Sequence, residues 1–353
     1  MPSLSTVKAS NASYASHLLQ SASTPVAIFI GGTAGIGEAT VKALANYLHG
    51  NVHVILVGRT REPGERVLRE LVKPSPSPGE KQDIGVIREF IPCDVSLMSS
   101  VDKMCLEITK LLESRLKTTA PPKINYIFFS ANHSNLWGGH RWTEEGIDKQ
   151  LAVRYYHRFK TTFKLMPLLR NAKDKGEDAR VVSILASGIT WWFDEDDFGF
   201  KKSSGLGLVL KGVNTNMVAA VYNDLMVESF ADHNPGISFT NSMPGMVSTD
   251  NALHAFTIPF RAHWILKPLE LFFFWIWILI FIKPEDSAQY HLYDLFQADE
   301  GREPERSGGE KKGKFYRRSR FGDDLGYRYH RKDQEVLKRR FWEHTTKVTE
   351  LVE

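Results

Sequence analysis

A chain of 353 residues is long enough for one large domain or two. Its 42% hydrophobic and 24% charged residues are those of a globular, foldable protein, and a net charge of +4 gives no reason to invoke nucleic acid. Two cysteines, Cys93 and Cys105, are too few for a disulfide framework and suit a reducing compartment.

Residues 1–24 are polar and lack the apolar core of a secretory signal. Residues 26–31 then read as a buried strand, with a helix beginning near Gly35. Strands follow at 51–58, 86–96, 124–131, 179–186 and 236–247. Between them the pattern predicts helices over 63–72, from Ser99 or Ser100 as N-cap, over 143–170 with Thr143 as cap, and from Val213 to His233. A Pro/Ser/Gly-rich loop occupies 73–82. Near-continuous apolar strands alternating with helices predict a doubly wound parallel α/β sheet with helices on both faces.

After residue 250 the alternation stops. Leu271 to Ile282 is twelve apolar residues without a break. That is short of the ~20 needed to span a membrane, and extension back to Trp264 takes in Lys267, Pro268 and Glu270. A buried helix or substrate lid, an in-plane membrane contact and a true span all remain open. A helix resumes over 284–297, a polar linker covers 299–314, and a short strand and a terminal helix close the chain. Lys311 to Arg340 holds twelve Lys or Arg against four Asp or Glu, either a solvated basic face or a surface for anionic lipid. The expected organisation is a polar extension at 1–24, a dinucleotide-binding domain at 25–298 with a hydrophobic insert at 250–283, and a basic extension at 299–353.

The turn after the first strand carries the first chemical signal. Gly31, Thr33, Ala34, Gly35, Ile36 and Gly37 join a buried strand to a helix. Glycines there permit a tight turn, close approach of backbone amides to a pyrophosphate, and close helix packing. The helix N-terminus then faces the anion with its positive end. The second strand ends in Gly58, Arg59 and Arg61, without the acid that holds a ribose 2′-hydroxyl. A guanidinium in place of that acid favours a 2′-phosphate, hence NADP(H).

Over residues 25–250 the chain resembles a short-chain dehydrogenase/reductase, a family with a Rossmann-like fold. The signature T-G-x-x-x-G-x-G is met with Ile30 in place of Thr. Asp94 and Val95 match the acid that contacts adenine. Asn132 closes the turn after the fourth strand, which reads Phe129-Ser130-Ala131-Asn132. Pro244, Gly245, Val247 and Thr249 match P-G-x-V-x-T, whose Thr holds the nicotinamide carboxamide. The stretches Ser10–Tyr14, Asp196–Lys202, Asn234–Phe239 and Phe341–Val348 resemble a fungal branch of the family associated with secondary metabolism.

The family's catalytic set is degenerate. Its helix Asn aligns with Arg154, and its serine with Ala186, one place before Ser187. Counting back from Asp224–Glu228, the Tyr of Tyr-x-x-x-Lys falls on Leu210 or Lys211, and the Lys on Asn214 or Thr215. Tyr222 sits about 18 Å along a helix from Leu210. Loss of that pair removes general acid catalysis worth ~10²–10⁴-fold. Ser187, Lys211 and Arg154 are the candidate substitutes: a hydroxyl at the strand end, an ammonium of depressed pKa, and a fixed positive charge for an oxyanion or carboxylate. His133 and His157 can also titrate near neutrality. The run Asp194–Asp197 reads as a solvated loop, since neighbouring acids point apart. Trp191–Phe193 and residues 264–282 suggest a greasy pocket wall.

The expectation is an NADP(H)-dependent oxidoreductase acting on a hydrophobic carbonyl or alcohol, a terpenoid or polyketide intermediate. The alternative is the same scaffold without redox activity, as cyclase, isomerase or binding partner. No metal or nucleic-acid module is expected. The expected site of action is the cytoplasm, with peripheral membrane contact through 264–282 left open.

Overall fold

Seven short segments form the strands: β1 (Val26–Ile30), β2 (His53–Gly58), β3 (Arg88–Pro92), β4 (Tyr126–Phe129), β5 (Arg180–Ile184), β6 (Ser238–Ser242) and β7 (Lys314–Arg318). The structure is a computed structural model that describes residues 1–21, 23–74, 85–116, 121–133, 140–189, 191–202, 208–249, 281–297, 314–326 and 333–350. All six strand pairings are parallel, in the order β3-β2-β1-β4-β5-β6-β7. β1, β4, β5 and β6 are buried throughout, because helices cover both faces. The chain winds outward from β1 to β3, then returns to place β4 against β1. That reversal opens a crevice beyond the carboxyl ends of β1 and β4.

The helices are α1 (Leu4–Leu19), α2 (Gly35–Tyr47), α3 (Arg61–Glu70), α4 (Met98–Arg115), α5 (Lys149–Leu151), α6 (His157–Asp174), α7 (Leu208–His233), α8 (Pro284–Phe296) and α9 (Gln334–Val348). A π turn, Ala152–Tyr156, joins α5 to α6. One core lies under α4, α6, α7 and α9, with Phe159, Phe230 and Phe341 at its centre. The other lies under α2 and α8, where Phe29 and Phe128 stack at 4.7 Å across β1 and β4.

Three local expectations are corrected. Neither Ser99 nor Ser100 caps α4. Leu97 holds the cap position, and the Glu145 carboxylate accepts from Met98 N at 2.5 Å and Ser99 N at 2.9 Å. The long helix starts at Lys149 rather than 143. Asp148 caps it by accepting from Leu151 N at 3.0 Å, while Thr143 only closes a turn with Ile147. Residues 1–24 are not a bare polar arm. They contain α1, whose buried Asn11 donates to Gln289 O on α8 at 2.9 Å. At the other end, β7 extends the sheet beside β6, and Leu337 and Phe341 of α9 enter the core.

Among the described residues no helix is long and apolar enough to cross a membrane. Residues 250–280, most of the insert and of the apolar run 264–282, lie outside the described residues. The last of that run is placed: Ile282 pairs with Val247, exchanging hydrogen bonds with Met246 and Ser248 at 2.9 Å.

Candidate active site

The crevice is built by close backbone approaches. Gly31 leaves β1 at a φ of 95°, and a Cβ there would lie 2.7 Å from Ala131 Cα. Only glycine lets the exits of β1 and β4 come this near. At Gly37 a Cβ would sit 2.5 Å from Gly31 O and collide with Ser130 Oγ, which donates to Gly31 O at 3.0 Å. Ala34 caps α2 without a side-chain hydrogen bond, so the leading amides of α2, through Gly35, Ile36 and Gly37, face the crevice with no capping side chain.

The predicted binding residues gather around this turn. Thr33 packs against Gly58 at the end of β2, and Thr249 Cγ2 lies 3.1 Å from where a Gly35 Cβ would be. The loop after β6 thus closes onto the glycine turn from the far side. Pro244 and Gly245 lead into it, Gly245 at a φ of 71°, and Val247 is buried. Arg59 is exposed at the end of β2. Asp94 accepts from Ser96 N at 2.9 Å and Ser96 Oγ at 2.7 Å. Burial raises its pKa, but those bonds and the charges of Lys149 and Arg59 outweigh it, so the carboxyl stays below its usual range. Val95 is buried in the core rather than facing the crevice. The turn therefore fits a diphosphate: a cradle that any Cβ would fill, closed by uncapped amides.

A positive rim surrounds it. The His133 imidazole is pushed down by burial first, then by Lys149, Arg59, Arg141 and Arg154. Asn132 is exposed and accepts from the Arg154 guanidinium.

The catalytic half is dispersed. Ser187 is buried, and its hydroxyl donates to Arg318 O at 2.6 Å, tying the β5 exit to β7. Lys211 stands on the first turn of α7, and its side chain lies outside the described residues. Arg154 sits in the π turn, 6% exposed, with its pKa pushed down to about 10 by burial. His157 is wholly buried, its ring against Phe129 and its pKa pushed down to about 3 by burial. Asp194 and Asp197 accept from loop amides, and Glu195 and Asp196 pair with Arg340 of α9.

Sequence reasoning missed several groups. Asn223 of α7 donates to Arg154 O at 2.9 Å and accepts from Ser183 Oγ at 2.7 Å, bridging α7, the π turn and β5. A Tyr-x-x-x-Lys spacing does occur at Tyr156 and Lys160, away from the aligned position. Its ends are engaged elsewhere: Tyr156 OH meets His344 Nε2 at 2.8 Å, and Lys160 Nζ donates to Asp102 at 2.5 Å. Burial raises the Tyr156 pKa further, so it is no proton donor for the crevice. Ser242, His291 and Asp294 form a buried chain joining β6 to α8, at 2.8 Å and 2.5 Å from the serine oxygen. Inside the sheet they pin α8 rather than present a nucleophile.

This fold and this turn define a doubly wound dinucleotide-binding protein. No family model matches the chain. It is 33% identical over 297 residues to Oxidoreductase andH of Emericella variicolor, covering 83% of this chain and 74% of that protein. It is 30% identical over 259 residues to Short-chain dehydrogenase/reductase SAT2 of Stachybotrys chartarum, covering 70% and 66%. Among solved structures, Carbonyl reductase Sniffer of D. melanogaster superposes with a TM-score of 0.52 at 14% identity, over 86% of this chain and 99% of that one. The chain belongs to the short-chain dehydrogenase/reductase family, with Lys211 and Thr215 standing where a Tyr and a Lys are the family's rule.

Proposed function

We propose that the chain is an NADP(H)-dependent oxidoreductase acting on a hydrophobic carbonyl or alcohol, an intermediate in secondary-metabolite biosynthesis of terpenoid or polyketide kind. The observation that carries the cofactor choice is Arg59. It stands exposed where an acid would hold a 2′-hydroxyl, and it makes no ion pair among the described residues. The bound dinucleotide supplies hydride. The α2 amides hold its pyrophosphate, Arg59 its 2′-phosphate, Asp94 its adenine end and Thr249 its nicotinamide end. Arg154 steadies charge developing on the substrate oxygen. Lys211 is the proposed proton donor, and Ser187 joins it only by releasing Arg318 O. Trp191 and Trp192, 42% and 76% exposed, suit an apolar substrate. Residues 264–282 are proposed to complete that apolar wall or to rest on a membrane surface, with the protein working in the cytoplasm.

The missing Tyr and Lys favour a second reading, a scaffold that guides cyclisation or isomerisation without redox change. Steady-state assays with hydrophobic ketones separate the two. NADPH should be consumed in step with product, and far faster than NADH. Arg59→Gln should raise KM for NADPH about tenfold or more while leaving NADH unaffected. Product formed without NADPH consumption would establish the second reading. Equal use of both nucleotides would sink the assignment of Arg59.

A further inference from the structure

Arg158 is wholly buried, yet no carboxylate lies within ion-pair distance of it among the described residues. Its acceptors are neutral: Ser183 Oγ at 2.7 Å, Ile184 O at 3.2 Å and Ala131 O at 2.8 Å. Burial, and then the neighbouring Arg154, push its pKa down to about 9. Buried cations are ordinarily matched by an anion, because desolvation without one is costly. Here the neighbour one helical turn away is a second guanidinium. Arg154 is nearly as buried, reaches the crevice loop at Asn132, and has its carbonyl fixed by Asn223. The π turn carrying it is a helical irregularity of the kind that often marks a functional site.

The two guanidiniums lie on the β4–β5 side of the crevice. The cradle for the dinucleotide phosphates, α2 and Arg59, lies on the β1–β2 side. The positive charge behind β4 therefore serves a different anion. Near its mouth stand apolar surfaces: Trp191, tied to Asn214 of α7 at 2.7 Å, Trp192, and Met246 at 40% exposure.

We propose that Arg154, backed by the field of Arg158, receives the carboxylate of an acidic, otherwise hydrophobic substrate. This names the substrate class for the reading above and rests on it. Arg154 is the contact residue. Arg158 is a positioning residue that ties the exits of β4 and β5 together and adds charge from behind.

The test is calorimetric titration of the full-length protein, with NADP+ present, using octanoate and its neutral counterpart octanamide. Octanoate should bind about tenfold or more tighter than octanamide, the worth of a charge-assisted hydrogen bond. Arg154→Gln should erase the preference and Arg154→Lys should recover part of it. Both variants should keep the wild-type NADP+ affinity and melting temperature. Equal affinity for acid and amide, no saturable octanoate binding in a chain that binds NADP+, or a preference that survives Arg154→Gln, would each overturn the proposal. Failure to bind NADP+ would refute the cofactor reading by itself, leaving the acid preference to be decided by the same titrations without nucleotide.

Discussion

Replacing Gly31 by alanine should damage the crevice and the fold together. Two penalties add. The φ of 95° is a backbone state that a side chain makes unfavourable, at a cost of about 1–3 kcal/mol. The new Cβ would also sit 2.7 Å from Ala131 Cα and 2.9 Å from Ser130 C. Those are backbone atoms that cannot rotate away, so the exit of β4 must move, at a further ~1–3 kcal/mol. The sum, about 2–6 kcal/mol, is a large fraction of a typical domain's stability. Gly176→Ala is the matched control. Its φ of 71° also disfavours a side chain, but nothing lies within 4 Å of the added carbon. In thermal melts Gly31→Ala should fall well below Gly176→Ala, by roughly 2–4 °C for each kcal/mol of collision. Only Gly31→Ala should also lose affinity for NADP+ in a titration. If the two variants melt alike and bind nucleotide alike, the close packing of β1 on β4 is not what shapes the site.

The buried histidines predict an acid-sensitive fold. Burial depresses His53 and His344 to about 4, and His157 and His291 to about 3. Each unfolded imidazole binds a proton below about 6.5, so each contributes stability at higher pH that is lost as pH falls from there towards the folded value. Asp294, raised to about 7 by burial, acts in the opposite sense, its contribution being lost as pH rises from the unfolded carboxylate range through 7. Four groups against one should bring the urea midpoint down steeply between pH 6.5 and 4, and a flat midpoint over that range would contradict the burial of these rings. Tyr156→Phe should leave NADPH turnover unchanged while costing about 1–3 kcal/mol in chemical denaturation, because it strands His344. A collapse of turnover with the fold intact would make Tyr156 a proton donor after all.

Much of the frame was legible because its signals are local. A strand buried on both faces must be apolar throughout, so β1, β2, β4 and β5 stand out in the sequence. Gly31, Gly35 and Gly37 announce the turn because little else fits there. The P-G-x-V-x-T stretch led correctly to Thr249 lying against Gly35. What escaped was set by contacts between distant residues. The cap of α4 comes from Glu145, far along the chain, and no spacing rule points to it. The start of the long helix was decided by the short acid Asp148, while Thr143 mimicked a cap. Counting back along α7 from Asp224–Glu228 drew attention to Lys211 and Thr215. The side chain packed on the π turn is Asn223, because an irregular turn in the facing helix changes which residues meet. Arg158 reads in sequence as one more helix arginine, and only its burial between β4 and β5 makes it unusual.

The most direct measurement is a calorimetric titration of the purified full-length chain with NADP+ and with NAD+. A crevice shaped by Gly31 and Gly37, with Arg59 at its rim, predicts one saturable NADP+ site per chain and clearly weaker binding of NAD+. No heat with either nucleotide, in a protein that melts cooperatively, would contradict the reading of that crevice as a diphosphate cradle.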